Sequence, residues 1–405
     1  MKTKRNKKRV AIVGTAGIPA RYGGFETLAH HLVEELNDTY DFKVYASTKM
    51  YKKEERVKTF NKARVYYLPF SANGASSVVY DFISMIHAIF CSDIILILGV
   101  SGGLFVPFLR FFTNKKIVVN IDGMEWRRTK WSKKARAFLK FSERVAVRFS
   151  HADITDNHAI KRYTSQYYKT CSHYIAYGAD HCLKVNLEPE DYKKYPFSRA
   201  PYAFKVARIE PENNVEMILK AFSNIPRKNL VVVGNWENSE YGKNLKSSYS
   251  GYKNIFLLDP IYNQVALDKL RSNCHVYIHG HSAGGTNPSL VEAMYLGLPV
   301  LAFDVSFNRF TTHNEAIYFS NAKELEKCII IFSYYDMLRT SYNLKKIAKN
   351  FYTWDYIAAQ YKSLFESFAF GYRRQKINSS FEGVDKRKLA QKGYAHLASS
   401  KSFYE

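Results

Sequence analysis

Two successive series of short, predominantly apolar segments, each segment followed by a stretch of helix length, constrain this chain more than any other feature. Val10–Val13, Phe42–Ala46, Val65–Leu68, Ile94–Leu98 and Ile117–Ile121 form the first series. Tyr202–Val206, Leu230–Val233, Ile255–Leu258, Val276–Ile278 and Val300–Phe303 form the second. Segments this apolar do not alternate between a wet and a dry face, so they predict parallel strands covered by helices on both sides. Strand and helix in alternation read as a doubly wound α/β sheet, and two series read as two such domains. Between them, from about Asp180 to Ala200, a polar stretch with Pro189 and Pro196 reads as a linker. The expected organisation is a first α/β domain over 1–185, a second over 186–350, a helix over 351–370 and a basic polar tail over 371–405. The tail is expected to be mobile or to order only on a surface.

The 405 residues are 46% apolar, enough to fill two cores. Lys and Arg number 60 against 36 Asp and Glu, and the net charge of +24 points to anionic partners: nucleic acid, a membrane surface or phosphorylated substrates. Cys91, Cys171, Cys182, Cys274 and Cys328 are scattered without a C-x-x-C pair, against a disulfide scaffold or zinc ribbon and in keeping with a reducing compartment. The basic start MKTKRNKKRV resembles a signal n-region, but a strand and a glycine turn follow it, so secretion is not expected. Ile94–Leu109 is uncharged but holds three glycines and Pro107 and falls short of the about 20 residues of a spanning helix. A buried strand followed by a loop is expected there.

Three segments carry chemistry. The first is Gly14-Thr-Ala-Gly-Ile-Pro-Ala-Arg-Tyr-Gly-Gly-Phe-Glu26, which leaves a strand and opens a helix. Gly23 and Gly24 before that helix let the backbone approach an anion, although a plain tight turn fits the same residues. The spacing matches neither a dinucleotide fingerprint nor a Walker loop. The second is His279-Gly-His-Ser-Ala-Gly-Gly-Thr-Asn-Pro-Ser-Leu-Val-Glu-Ala-Met294. Gly284, Gly285, Thr286, Asn287 and Ser289 offer backbone amides, hydroxyls and an amide group where a helix begins, the chemistry of a diphosphate cradle. Glu292, one turn on, is placed to bind the hydroxyls of a ribose or sugar. His279 and His281 lack a nearby third ligand and no Asp-x-Asp triplet occurs, so metal independence is expected. The third is Ala207-Arg208-Ile-Glu-Pro-Glu-Asn213-Asn214, where Arg208 offers a guanidinium to a diphosphate leaving group.

With Val119-Asn-Ile-Asp-Gly-Met-Glu-Trp126 added, these segments, in this order over about Lys8 to Tyr361, resemble the GT-B glycosyltransferases of glycosyltransferase family 4. The nearer resemblance is to bacterial β-1,4-rhamnosyltransferases of capsule and cell-wall polysaccharide synthesis. That resemblance implies two Rossmann-like domains facing a cleft, with a C-terminal helix crossing back to the first. It implies a retaining hexosyltransferase without a cofactor, with dTDP-rhamnose as donor and a lipid-diphosphate-linked sugar as acceptor. It puts the protein in the cytoplasm, against the inner face of the cell membrane. Donor binding would fall to Gly23, Gly24, Arg208, Asn213, Gly284, Gly285, Thr286, Asn287, Ser289 and Glu292. Two positions depart from the wider family: Gly284 stands where it has a Glu, and Asn213 where it has a Lys. The first loss suits a 6-deoxy sugar with fewer polar handles. No carboxylate nucleophile is evident in the second domain's motif, so front-face attack is expected, with Arg208 and the Gly284–Asn287 amides stabilising the leaving group. Asp122, or more weakly Glu125, would orient or deprotonate the acceptor hydroxyl; an N-cap or turn role fits Asp122 as well.

Fourteen of the net positive charges lie in Lys2–Arg9 and Trp126–Arg148. In the second stretch Trp131, Ala135, Phe138, Leu139, Ser142, Val145, Ala146 and Phe149 follow helical spacing, which predicts a basic amphipathic helix. The apolar face is expected to enter a headgroup layer, with Trp126, Arg127, Arg128, Trp131, Lys133 and Lys134 at an anionic membrane, although a core-facing helix with a solvated polar face fits the same pattern. Phe105–Phe112 would add an aromatic wedge. Competing readings are a UDP- or GDP-sugar transferase, a sugar-nucleotide 2-epimerase and, more remotely, a nucleic-acid-binding protein; no nucleic-acid-binding pattern accompanies the charge.

Overall fold

The computed structural model describes residues 7–21, 23–121, 123–128, 131–331 and 333–375. These residues divide into two compact units, one drawn from Met1–Ala176 and Asp355–Glu405, the other from Tyr177–Trp354.

The first unit contains eight strands: β1 (Lys8–Val13), β2 (Tyr40–Ser47), β3 (Thr59–Phe60), β4 (Ala63–Leu68), β5 (Ile94–Leu98), β6 (Lys116–Asn120), β7 (Ala152–Thr155) and β8 (His173–Tyr174). Their order across the sheet is β3-β4-β2-β1-β5-β6-β7-β8, and only the β3–β4 pair is antiparallel. The five residues of β5 are all buried, as a strand covered on both faces requires. From β1 the chain winds outward to β2 and β4, then returns to build the other half from β5. The loops after β1 and β5 therefore diverge at a topological switch point, where open α/β sheets hold ligands.

The second unit repeats the plan with β9 (Tyr202–Val206), β10 (Asn229–Val233), β11 (Ile255–Leu258), β12 (Val276–His279), β13 (Val300–Phe303) and β14 (Ile317–Phe319). The order is β11-β10-β9-β12-β13-β14, all parallel, with its switch point between β9 and β12. Its core packs Ile218, Leu219 and Phe222 of the helix Val215–Ser223 against Leu230, Val232, Ile278 and Leu301.

The stretch read as a linker is folded onto this unit. It contains the helix Pro189–Lys194, and Leu183 N donates to Asp268 (3.0 Å) while Lys269 pairs with Glu188 and Asp191 (2.8 Å each). Its polar residues are partners for the helix Gln264–Ser272, not a solvated coil. The C-terminal helix Trp354–Ser367 returns to the first unit and buries Ile357, Ala358, Tyr361, Leu364 and Phe365, with Asn120 donating to the Tyr361 hydroxyl at 3.2 Å. Of the expected tail, residues 371–375 are anchored: Arg374 pairs with Asp153 at 3.2 Å and donates to Thr170 at 2.7 Å. The remainder of the tail and most of the basic N-terminal run lie outside the described residues.

Where a strand and a loop were expected around Ile94–Leu109, the strand is β5 and the rest forms a short helix, Val106–Phe112. Before it, the helix through Gly74–Cys91 is long and apolar enough to cross a membrane by composition, yet Tyr80, Asp81, Ser84, Met85 and Ala88 are buried in the first unit.

Candidate functional site

The loops after β9 and β12 leave adjacent strands at the second unit's switch point, and side-chain amides knit them together. Asn214 donates to Gly280 O at 2.8 Å, and the Ser282 amide and hydroxyl both donate to Glu212 O (2.8 and 2.9 Å). Buried Asn308, after β13, donates to His281 O (3.0 Å) and Phe303 O (2.8 Å). Gly280 has to be glycine, because a Cβ there would lie 2.5 Å from Asn213 O.

Within this frame Arg208 is exposed, its side chain 42% accessible and its Nε 3.7 Å from Glu210. That loose contact leaves most of the guanidinium fork turned to solvent, where an anion can take it. Asn213 is buried and donates to Arg208 O at 2.7 Å, so it shapes the arginine's backbone instead of offering its amide outward. Gly284 has φ +123° and nothing within 4 Å of the place a Cβ would occupy. Bare backbone thus borders open space just before the helix Pro288–Tyr295. Gly285 follows it half-buried, and Thr286 is buried. Asn287 caps the helix, its side-chain oxygen accepting from Ser289 N (3.1 Å) and Ser289 Oγ (2.7 Å). Asn287 and Ser289 therefore hold the cradle's shape.

Glu292 sits in a nearly closed ionic network. Its carboxylate takes fully buried Arg271 on one oxygen and His181 Nε2 at 3.3 Å on the other, and Arg271 also pairs with buried Asp268 at 2.6 Å. Trp354 Nε1 donates to His181 Nδ1 (3.0 Å), which leaves the proton on Nε2, facing Glu292. Burial alone raises the Glu292 pKa, but Arg271 and His181 outweigh it and bring it down to about 2. Glu292 is thus a fixed, ionised acceptor.

Beneath the Gly280 turn lie two buried nitrogenous groups that the sequence reading did not assign to the site. Lys205, inside β9, is fully buried with no partner for its ammonium, 3.0 Å from the Cβ position of Gly280. Burial lowers its pKa to about 7. His279 is also fully buried with both ring nitrogens unpaired, and burial, then Lys205, pushes its pKa well down. The signal for Lys205 lies in the strand itself, a lysine inside Tyr-Ala-Phe-Lys-Val where both faces are covered. His279 and His281 stack with centroids 4.4 Å apart and planes 12° from parallel, so their lone pairs do not converge on one metal position.

Among the described residues two other sets bring three ligand atoms together. In His181, Cys182 and Glu292 the counter-charge is already Arg271, which also reaches Cys182 Sγ at 3.1 Å. In His30, His31 and Glu34 the Ala20 amide donates to His30 Nδ1 at 3.1 Å, which keeps the proton on Nε2, the nitrogen facing Glu34.

In the first unit, the turn after β1 is closed by Glu26, which accepts from Ala16 N (2.7 Å) and Thr15 Oγ1 (3.1 Å). Gly23, at φ +113°, has no room for a Cβ beside that carboxylate, and Gly24 begins the helix Gly24–Leu36. Asp122 lies outside the described residues. Glu125 gives one oxygen to Arg128 (2.7 Å) and the other to Trp131 Nε1 (3.0 Å), so it is engaged by both and holds them in turn. Half-buried Trp126 lies under Lys140 (4.6 Å) and Arg127 (5.6 Å). Lys133 and Lys134 are exposed at the start of the helix Lys133–Phe149. The face of that helix expected to enter a headgroup layer instead turns Leu139, Ser142 and Ala146 into the core: they are buried, and Ser142 donates to Val100 O. Small residues there let the helix pack close to Gly103.

Residues 7–180 match a family described as a domain of unknown function, DUF1972, and residues 188–333 match the glycosyl transferases group 1. No curated protein matches the chain. Among solved structures, sucrose-phosphate synthase from Thermosynechococcus elongatus is 16% identical with a TM-score of 0.74, covering 90% of this chain and 100% of its own. A glycosyltransferase from Rickettsia africae is 13% identical with a TM-score of 0.68, over 90% of this chain and 99% of its own. Anabaena HepE, in complex with UDP-glucose, is 14% identical with a TM-score of 0.66, over 89% of this chain and 99% of its own. At such identities the likeness is one of fold. The chain is thus similar to the DUF1972 family over its first part and to the glycosyl transferases group 1 over its second, and it has a two-domain α/β fold that matches solved GT-B glycosyltransferases.

Proposed function

We propose that the protein transfers L-rhamnose from dTDP-rhamnose to a lipid-diphosphate-linked sugar, with retained anomeric configuration. The observation that carries a nucleotide-diphosphate donor is that exposed Arg208 and the bare backbone at Gly284 lie on two loops tied together at one switch point. As the bond to the sugar breaks, negative charge grows on the departing diphosphate. A guanidinium and fixed amide dipoles that need no reorganisation stabilise it there. Glu292, ionised and immobile, accepts from donor hydroxyls with what lone-pair capacity Arg271 and His181 leave. Open space at Gly284, where the wider family places a carboxylate, favours a deoxy sugar. Asp122 is the proposed residue to orient the acceptor hydroxyl.

The decisive assay offers radiolabelled dTDP-rhamnose, UDP-glucose, UDP-galactose and GDP-mannose to membranes carrying lipid-linked glucose or N-acetylglucosamine. Label from dTDP-rhamnose is expected in the lipid fraction, and Arg208→Ala is expected to cut its rate about 10²–10³-fold. Signal from another donor alone overturns the rhamnose assignment. A UDP-sugar is the second reading, favoured by the shared fold of HepE in its UDP-glucose complex.

A further inference from the structure

One face of the first unit is unusually apolar for a protein surface. The helix Ser77–Cys91 turns Val79, Phe82, Ile86 and Phe90 outward in a single stripe, and Phe90 is 77% exposed. Ring contacts continue the stripe into the next helix: Phe82 meets Phe105 (4.6 Å), Phe105 meets Phe108 (4.9 Å) and Phe108 meets Phe112 (5.0 Å). Phe111 and Phe112 are 69% and 74% exposed, and Phe111 touches Phe149 of the helix Lys133–Phe149 at 5.8 Å. A contiguous aromatic surface spanning three helices marks an interaction site.

Its charge selects the occupant. The three helices Ser77–Cys91, Val106–Phe112 and Lys133–Phe149 contain two acids, Asp81 and Glu143, both buried. Their exposed charges are all cationic: Arg110, Lys133, Lys134, Lys140, Arg144 and Arg148. A second copy of the chain would bring like charges face to face, whereas an anionic lipid surface meets both the rings and the cations. On the other side of the Ser77–Cys91 helix the Tyr80 hydroxyl donates to Thr15 O at 2.8 Å and buried Asp81 accepts from the Gly102 backbone and Ser101, so that helix is held in the first unit and lies along an interface instead of spanning it.

We propose that this face docks the protein on an anionic bilayer, with the phenylalanines at headgroup depth and the cations around them. The basic helix supplies charge, while the inserting side chains come chiefly from its two neighbours. The proposal is independent of which sugar is transferred.

Flotation of the full-length protein with vesicles tests it. Phosphatidylcholine vesicles containing about 30% phosphatidylglycerol are expected to bind at least about tenfold more protein than phosphatidylcholine alone, and about 0.5 M salt is expected to release most of it. The exposed-site variants Phe90→Ser/Phe111→Ser/Phe112→Ser and Arg144→Glu/Arg148→Glu are each expected to lose that binding, with unchanged thermal unfolding. Equal binding to both vesicle types, unchanged binding of the triple variant, or a dimer in sedimentation equilibrium that the triple variant dissolves would each overturn it. Nucleotide binding measured without vesicles reports separately on the donor site, so one reading can fail while the other stands.

Discussion

Lys205 is fully buried without a partner, against what its chemistry favours. An ammonium without a partner in a covered strand is held at a cost, and burial lowers its pKa to about 7. Between that value and its ordinary 10.5, the unfolded chain binds a proton that the folded chain does not. Stability therefore rises with pH across this window, and the penalty is fully present below it. Lys205→Met is expected to stabilise the second unit most at about pH 6, by on the order of 4 kcal/mol, with the gain shrinking as pH approaches 10. Urea midpoints of both proteins across that range check the slope; a pH-independent difference would show that Lys205 does not titrate in the fold. Arg271 is the opposite case, since its charge is what makes Asp268 and Glu292 tolerable indoors. Arg271→Leu strands the buried Asp268 carboxylate and leaves the largely covered Glu292 with His181 alone, and is expected to cost about 3–5 kcal/mol in urea unfolding.

At the scale of elements, the site depends on two loops holding one another. Gly280→Ala places a methyl against Asn213 O and Lys205 Nζ and so pushes the loop after β12 away from the loop after β9. The expected outcome is a loss of about 1–3 kcal/mol in stability together with weakened nucleotide binding by calorimetry. Weakened binding without any stability change would mean that the loops can separate freely. Elements were legible from sequence where cover on both faces dictated a mostly apolar run: Ile94–Leu98, Tyr202–Val206, Ile255–Leu258 and Val300–Phe303 end where expected. β7 escaped because half of Ala-Asp-Ile-Thr is polar. Its Asp153 is satisfied by Ser172, Thr170 and Arg374, partners that no local window contains.

At the scale of the whole molecule, the helix Trp354–Ser367 completes the first unit. Ending the chain at Trp354 removes Ile357, Ala358, Tyr361, Leu364 and Phe365 from that unit's core. The four large side chains are worth about 1.5–3 kcal/mol apiece, comparable together with the entire stability of an ordinary domain. In hydrogen exchange, β1, β5 and β6 are expected to lose protection in the truncated chain while β9 and β12 keep theirs. The sequence alone determined the two α/β series and the motifs at strand ends, because apolar runs and turn glycines act over a few residues. Only the tertiary structure decided the sheet order that sets each switch point, the partners that fix Glu292 and Glu125, the burial of Lys205 and which phenylalanines face outward. Each of those depends on residues distant in sequence meeting in space, and a side chain's solvation is settled by what packs against it.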